Sequence, residues 1–181
     1  MIFTDTPIRD AVVIEPEPIA DARGFFARSF CTREFEAHGL SPRVVQCSLA
    51  LSKLKGTLRG LHFQRAPHAE ARLVRCTAGA LYDVVVDLRP QSPTFRRHFG
   101  IELSAHNRKM LYVPEGCAHG CQTLEDDTEV FYQMSEFFVP DAVAGVRWND
   151  PAFGVRWPLE VTVICERDRT YADFREDVLL R

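Results

Sequence analysis

The chain is 181 residues long, enough for one domain with a sizeable core and too long to need disulfide staples. Its composition, 46% hydrophobic and 26% charged with a formal net charge of -3, is that of an ordinary globular protein and gives no reason to expect a nucleic-acid polymer as partner. No apolar run approaches the roughly 18 residues of a membrane span, and MIFTDTPIRDAVVIEPEP lacks the basic start and apolar run of a secretory leader, so a cytoplasmic protein without membrane partners is expected. The cysteines at 31, 47, 76, 117, 121 and 165 then read as reduced core thiols. The Cys117/Cys121 spacing is a weak metal signal, because no second cysteine pair accompanies it.

In chain order, the first third is extended and carries one helix signal, TREFEAHG at 32–39, with Thr32 as cap and Gly39 as stop. KGTLRGLHFQ at 55–64 reads as an apolar strand. RLVRCTAG (72–79), ALYDVVVDLRP (80–90), FRRHFGIELSA (95–105), RKMLYVPEG (108–116), GCAHGCQTL (116–124) and TEVFYQMSEF (128–137) follow, each rich in strand formers. Gly79 and the segments 91–93, 105–107, 114–116 and 125–127 supply the turns between them. Alternation is clearest at Tyr82, Val84, Val86 and Leu88, against Asp83, Val85 and Asp87 on the other face. About ten strands with almost no helix imply a barrel or sandwich of mainly antiparallel sheet. No βαβ rhythm, GxGxxG or P-loop points to a dinucleotide or P-loop fold. The extended N-terminal third is suited to pairing with the sheet edge of a second subunit, and a symmetric dimer is the simplest way to cover such an edge.

Two constellations could carry chemistry. Arg59 and His62 lie within four positions, but strict alternation puts them on opposite faces, so a shared site requires a bulge, for which Gly60 is the obvious place. A histidine on an apolar strand is about as often a core residue as a functional one; here its chemistry suits a general base, with Asp83 and Asp168 both open as partners. In PEGCAHG (114–120), Pro114 and Gly116 make a tight turn just before His119. Tyr132 follows on the next strand; a tyrosine there is ordinarily core, but beside a base it can act as a general acid. Arg23, Arg28 and Arg72 are ordinarily solvated charges; gathered with Arg59 they could grip a diphosphate through bidentate hydrogen bonds.

DARGFF (21–26), LRGLHFQ (58–64), RLVRCTAG, YDVVVDLR (82–89), SPTF (92–95), VPEGCAHG (113–120), GVRWNDPAFGVRWP (145–158) and ERD (166–168) together resemble the dTDP-4-dehydrorhamnose 3,5-epimerase family over roughly residues 1–170. The resemblance implies a single all-β domain over 1–181: a cupin-like jelly-roll β-barrel with extended N-terminal strands, few short helices and a homodimeric assembly. It implies His62 as the base, supported by Asp168, with Tyr132 as acid and His119 and Asp83 as further site residues. Arg23 and Arg59 fall on diphosphate contacts and Gln46 on a substrate contact, and Arg28, Ser48, Arg72 and Arg167 complete the expected substrate lining. The implied reaction is inversion at C3 and/or C5 of a nucleotide-linked 4-keto-6-deoxyhexose, without metal or organic cofactor. Conversion of dTDP-4-dehydro-6-deoxyglucose to dTDP-4-dehydrorhamnose is the leading form.

The lining departs from the family pattern. Arg28 stands where the family has a glutamate, Gln46-Cys47-Ser48 replaces QDN or QVN, Arg72 replaces a lysine, Val143 a glutamate and Cys121 an aromatic. These changes keep three alternatives in view: a single-carbon epimerase on another keto-sugar, a sugar-nucleotide-binding protein without turnover, and a metal-dependent cupin. The last would need His68 and Glu70 to join His119, since position 64 is glutamine rather than histidine.

Overall fold

The computed structural model describes residues 1–176; residues 177–181 of the expected domain lie outside the described residues. Two sheets face one another. One has six strands in the order β1(Ile2–Asp5), β2(Val12–Glu15), β10(Met110–Val113), β7(Arg72–Ala78), β12(Thr128–Met134), β5(Gln46–Ser52). The other has five, in the order β13(Val143–Gly145), β6(Leu58–Gln64), β11(Cys117–Thr123), β8(Ala80–Asp87), β9(His98–Ser104). A separate hairpin, β3(Ile19–Asp21) and β4(Gly24–Phe26), is exposed throughout. This is the all-β, cupin-like barrel that the strand pattern and the resemblance called for.

The period-2 side-chain pattern sorts residues into three apolar layers. Val13, Val74, Cys76, Leu81, Val85, Leu103, Leu111, Val113 and Val130 meet between the sheets. Leu61, Phe63, Val84, Val86, Ala118, Ala144 and Val146 cover the outer face of the five-stranded sheet, packed under Phe153, Trp157 and Phe174. Phe35 and Leu40 cap the outer face of the six-stranded sheet against Val12, Ile14, Leu73 and Met110. The five-stranded sheet is thus covered on both faces around β8, which is why that strand is apolar on its inner side at Leu81 and Val85 as well as its outer side.

Two expectations need correction. The helix α1(Thr32–Ala37) starts after Cys31, which is its N-cap, so Thr32 is the first helical residue and makes no capping bond; Gly39, at φ +71, does end it. The cysteines are all free, but only Cys76, Cys117 and Cys121 are buried, while Cys47 and Cys165 are exposed. Burial pushes the Cys76 thiol up to about 11 and Cys117 up to about 12, so both stay protonated near neutral pH.

The feature that shapes the site is an irregularity between β6 and β11. His119 pairs with His62 and Cys121 with Arg59, so two steps along β11 match three along β6. Gly60 takes up the extra residue at φ +130, a region where only glycine is comfortable. A Cβ there would lie 2.5 Å from Gly120 Cα and 3.0 Å from the His119 carbonyl. The bulge turns Arg59 and His62 to the same, inner face.

Candidate functional site

His62 and His119 stand opposite each other on the inner face of the five-stranded sheet, and each is bound to an aspartate. His62 Nε2 lies 2.7 Å from Asp168 Oδ1. Asp168 comes from α2(Glu166–Arg169), a short helix laid beside β6, and its second oxygen accepts the Gly60 N–H at 3.0 Å. Burial works against its charge, yet the hydrogen bond and charge of His62, the Gly60 amide and the Cys165 thiol outweigh it and hold the carboxyl far below the usual carboxylate range. Arg167 adds Nε at 3.2 Å from Asp168 Oδ1 and Nη2 at 3.1 Å from His62 Nε2. With Asp168 accepting, Nε2 carries the proton, so the neighbouring Arg167 Nη2 cannot donate to it, and the lone pair lies on Nδ1, the form a base requires.

His119 Nε2 lies 2.7 Å from Asp83 Oδ1. Asp83 is fully buried on β8, directly opposite Cys121, and its Oδ2 has no hydrogen-bond partner among the described residues. Residues alone left Asp83 and Asp168 open as partners of His62; the geometry gives one aspartate to each histidine.

The six-stranded sheet supplies the facing wall. Tyr132 packs against the inter-sheet cluster, and the β12 registers place Val74 and Ser48 on its face, with Gln46 and Arg72 beside Met134. Gln46, Ser48, Arg72 and Tyr132 therefore share the inner face. Gln46 Oε1 also accepts the Phe138 N–H at 2.9 Å. Arg59 spans the two sheets, donating from Nε to Ser52 Oγ and from Nη2 to the Leu51 carbonyl, both at 3.0 Å.

Arg72 is not a free cation. It is clamped by Glu70, whose side chain is only 3% exposed and whose buried Oε2 has no hydrogen-bond partner among the described residues. Glu70 is a site-edge residue that residue patterns singled out only as a metal alternative; an acid two positions before an arginine entering a strand was the available signal. The His68, Glu70 and His119 metal set is not assembled, since Glu70 is held by Arg72 and His119 by Asp83. Among the described residues no group of three or more His, Cys, Asp or Glu could hold a metal ion.

Arg23 and Arg28 are not brought to these histidines within the chain. Arg23, 89% exposed, pairs with Asp21 in the exposed hairpin. Arg28 pairs with Glu34 and lines a cleft of about 360 Å³ with Met1, Glu17, Ile19 and Phe26. Among the described residues no helix is long and apolar enough to cross a membrane.

Residues 5–176 match the family model for dTDP-4-dehydrorhamnose 3,5-epimerase. A relative of that name from Methanothermobacter thermautotrophicus is 40% identical over 178 residues, 97% of this chain and 95% of its own. The crystal structure of the Bacillus anthracis dTDP-4-dehydrorhamnose 3,5-epimerase with TDP and PPi bound superposes with a TM-score of 0.92 at 39% identity, covering 96% of this chain and 99% of that one. A 3′-monoepimerase from Streptomyces bikiniensis in complex with dTDP-quinovose gives a TM-score of 0.85 at 31% identity, over 93% of this chain and 85% of that one. With the paired histidines on one sheet, the tyrosine on the other and a match along nearly the whole described chain, this protein is an enzyme of the dTDP-4-dehydrorhamnose 3,5-epimerase family.

Proposed function

We propose that the protein inverts C3 and C5 of dTDP-4-dehydro-6-deoxyglucose to give dTDP-4-dehydrorhamnose. The observation that carries this reading is the pair of His–Asp units on one inner wall, with Tyr132 on the other. A 4-keto group acidifies the C–H bonds on either side of it. His62, held by Asp168, takes one of these protons on Nδ1, and the electron pair of the broken C–H bond moves to O4 as an enolate. His119 and Arg72 stabilise the charge on O4 as an oxyanion hole does. The enolate carbon then takes a proton from the Tyr132 hydroxyl on the opposite face; the tyrosinate regains a proton from water and His62 releases one to water, so the cycle closes. Gln46, Ser48, Arg59 and Arg167 position the substrate, which contributes rate by holding the reacting C–H against the base.

Homodimer formation is part of this proposal. The edge strand β5 points its polar residues inward and exposes Leu49 and Leu51, 64% and 51% accessible. The β3–β4 hairpin exposes Ile19 and Phe26, each at 71%. A second copy covering these surfaces would bury both, and would allow Arg23 and Arg28 on the hairpin arm to approach the other subunit's diphosphate.

The changed lining supports a second reading, inversion at one carbon only, because the Arg72 charge is already partly answered by Glu70. Incubation with dTDP-4-dehydro-6-deoxyglucose in heavy water separates the two. The leading reading predicts deuterium at both C3 and C5; label at one carbon selects the single-carbon enzyme, and label at neither overturns the epimerase assignment.

A further inference from the structure

Asp168 is not the only group from its segment to reach His62. The Tyr171 ring meets the imidazole edge-on, with centroids 6.3 Å apart and planes inclined by 68°. Its position is set by a specific seat. In the β6–β13 register Gly145 lies directly opposite His62, so the two share a face. Their chain neighbours Leu61, Phe63, Ala144 and Val146 all pack on the outer side, which makes the shared face the inner one. A Cβ on Gly145 would stand 2.3 Å from Tyr171 Cζ and 2.7 Å from its hydroxyl oxygen. The phenol therefore rests where any other residue at 145 would put a side chain.

The segment that delivers the ring is anchored on both sides. Upstream, Asp168 is tied to His62 and to the Gly60 amide. Downstream, Asp173 pairs with Arg147, and Phe174 packs on Phe153 with centroids 5.0 Å apart. Tyr171 is three positions after Asp168, so one short stretch of chain meets the imidazole both at Nε2, through Asp168 and Arg167, and at its flank, through Tyr171. The carboxylate fixes one nitrogen but leaves the ring free to swing about that hydrogen bond; an aromatic edge against its flank removes that freedom.

We propose that Tyr171, seated on Gly145, is a positioning residue for the base: it holds the His62 ring in the plane from which Nδ1 reaches the substrate. This rests on the epimerase reading above. The role belongs to the ring, not to the hydroxyl.

A double-mutant cycle on the full chain tests it, read as the rate of deuterium exchange and as kcat and KM for epimerisation. Tyr171→Ala is expected to lower kcat about ten-fold with KM changed by less than about two-fold, because orientation of the base is lost while substrate contacts remain. Tyr171→Phe is expected to stay within about two-fold of wild type on both constants. Gly145→Ala evicts the ring and should reproduce the Tyr171→Ala loss, while the double variant should be no worse than either single one, the signature of one shared interaction. Should Gly145→Ala fail to fold, the double variant, with the seat vacated, should recover a cooperative melt. Losses that multiply, a wild-type kcat in Tyr171→Ala, a Tyr171→Phe variant as slow as the alanine, or a double variant that stays unfolded would each overturn the proposal. Wild-type protein that exchanges no deuterium overturns the epimerase reading instead, so the two failures are distinguishable.

Discussion

Two histidines face each other across the β6–β11 register, each 2.7 Å from an aspartate, yet the two pairs are built differently. Asp168 reaches His62 from 106 residues away, and both its oxygens have donors: the imidazole and Arg167 on one, the Gly60 amide on the other. Asp83 sits on the strand next to His119, fully buried, with the imidazole as its one donor among the described residues and a bare Oδ2. The charge of Asp168 is answered by several groups at once, so the carboxylate is held in place and orients the His62 ring. Asp83 has no second donor of this kind among the described residues, and its hold is on His119 alone. The proposed mechanism gives proton abstraction to the first pair and charge stabilisation to the second.

Replacing each aspartate by asparagine is the strongest way to break that contrast. Asp168→Asn should slow exchange by about 10²–10³-fold, since the amide can present either an acceptor or a donor to His62 and loses the charge that stabilises the imidazolium. Asp83→Asn should cost about ten-fold, as one weakened donor to the enolate. Equal losses, or the reverse order, would dissolve the distinction. Gly60→Ala strikes both pairs together. The added Cβ meets Gly120 Cα and the His119 carbonyl, and the backbone at φ +130 does not suit alanine. A loss of about 2–4 kcal/mol in denaturant unfolding is expected.

Acid titration sharpens the comparison through stability. The folded pKa of Asp168 lies below its unfolded value, so its contribution is complete above the unfolded value and is lost as the pH falls through the folded one. Wild type should therefore exceed Asp168→Asn by about 1–3 kcal/mol near pH 7, and the gap should narrow below about pH 4. A gap that stays constant down to pH 3 would mean that the carboxylate is not held by its charge. The buried Asp87 behaves similarly: burial opposes its charge, but Arg89, Ser92 and Thr94 bring it down to about 2, so the same acid range weakens the β8–β9 turn in both proteins. The two curves should therefore be compared by difference.

The residue pattern made the bulge legible, because Arg59 and His62 could share a face only if alternation failed between them, and Gly60 was the residue able to absorb the failure. The choice between Asp83 and Asp168 was not legible from pattern. It depends on where a four-residue helix near the C-terminus docks, and such a helix is too short to leave a periodic signal. The β5 strand escaped notice because its pattern is inverted, with Leu49 and Leu51 outward and Gln46 and Ser48 inward, as suits an edge that lines a polar site on one side. Cys47 shares that outward row and Cys165 caps α2, which is why neither is a core thiol. Tyr171 carries no motif at all; only the register that sets Gly145 opposite His62 reveals it.

The most direct test compares His62→Ala with His119→Ala in heavy water with dTDP-4-dehydro-6-deoxyglucose, after equilibrium binding of dTDP has established that both variants keep the nucleotide site. The account predicts no deuterium at C3 or C5 above the uncatalysed background for His62→Ala, and exchange slowed by about a hundred-fold but measurable for His119→Ala. Exchange that persists without His62 and vanishes without His119 would contradict it.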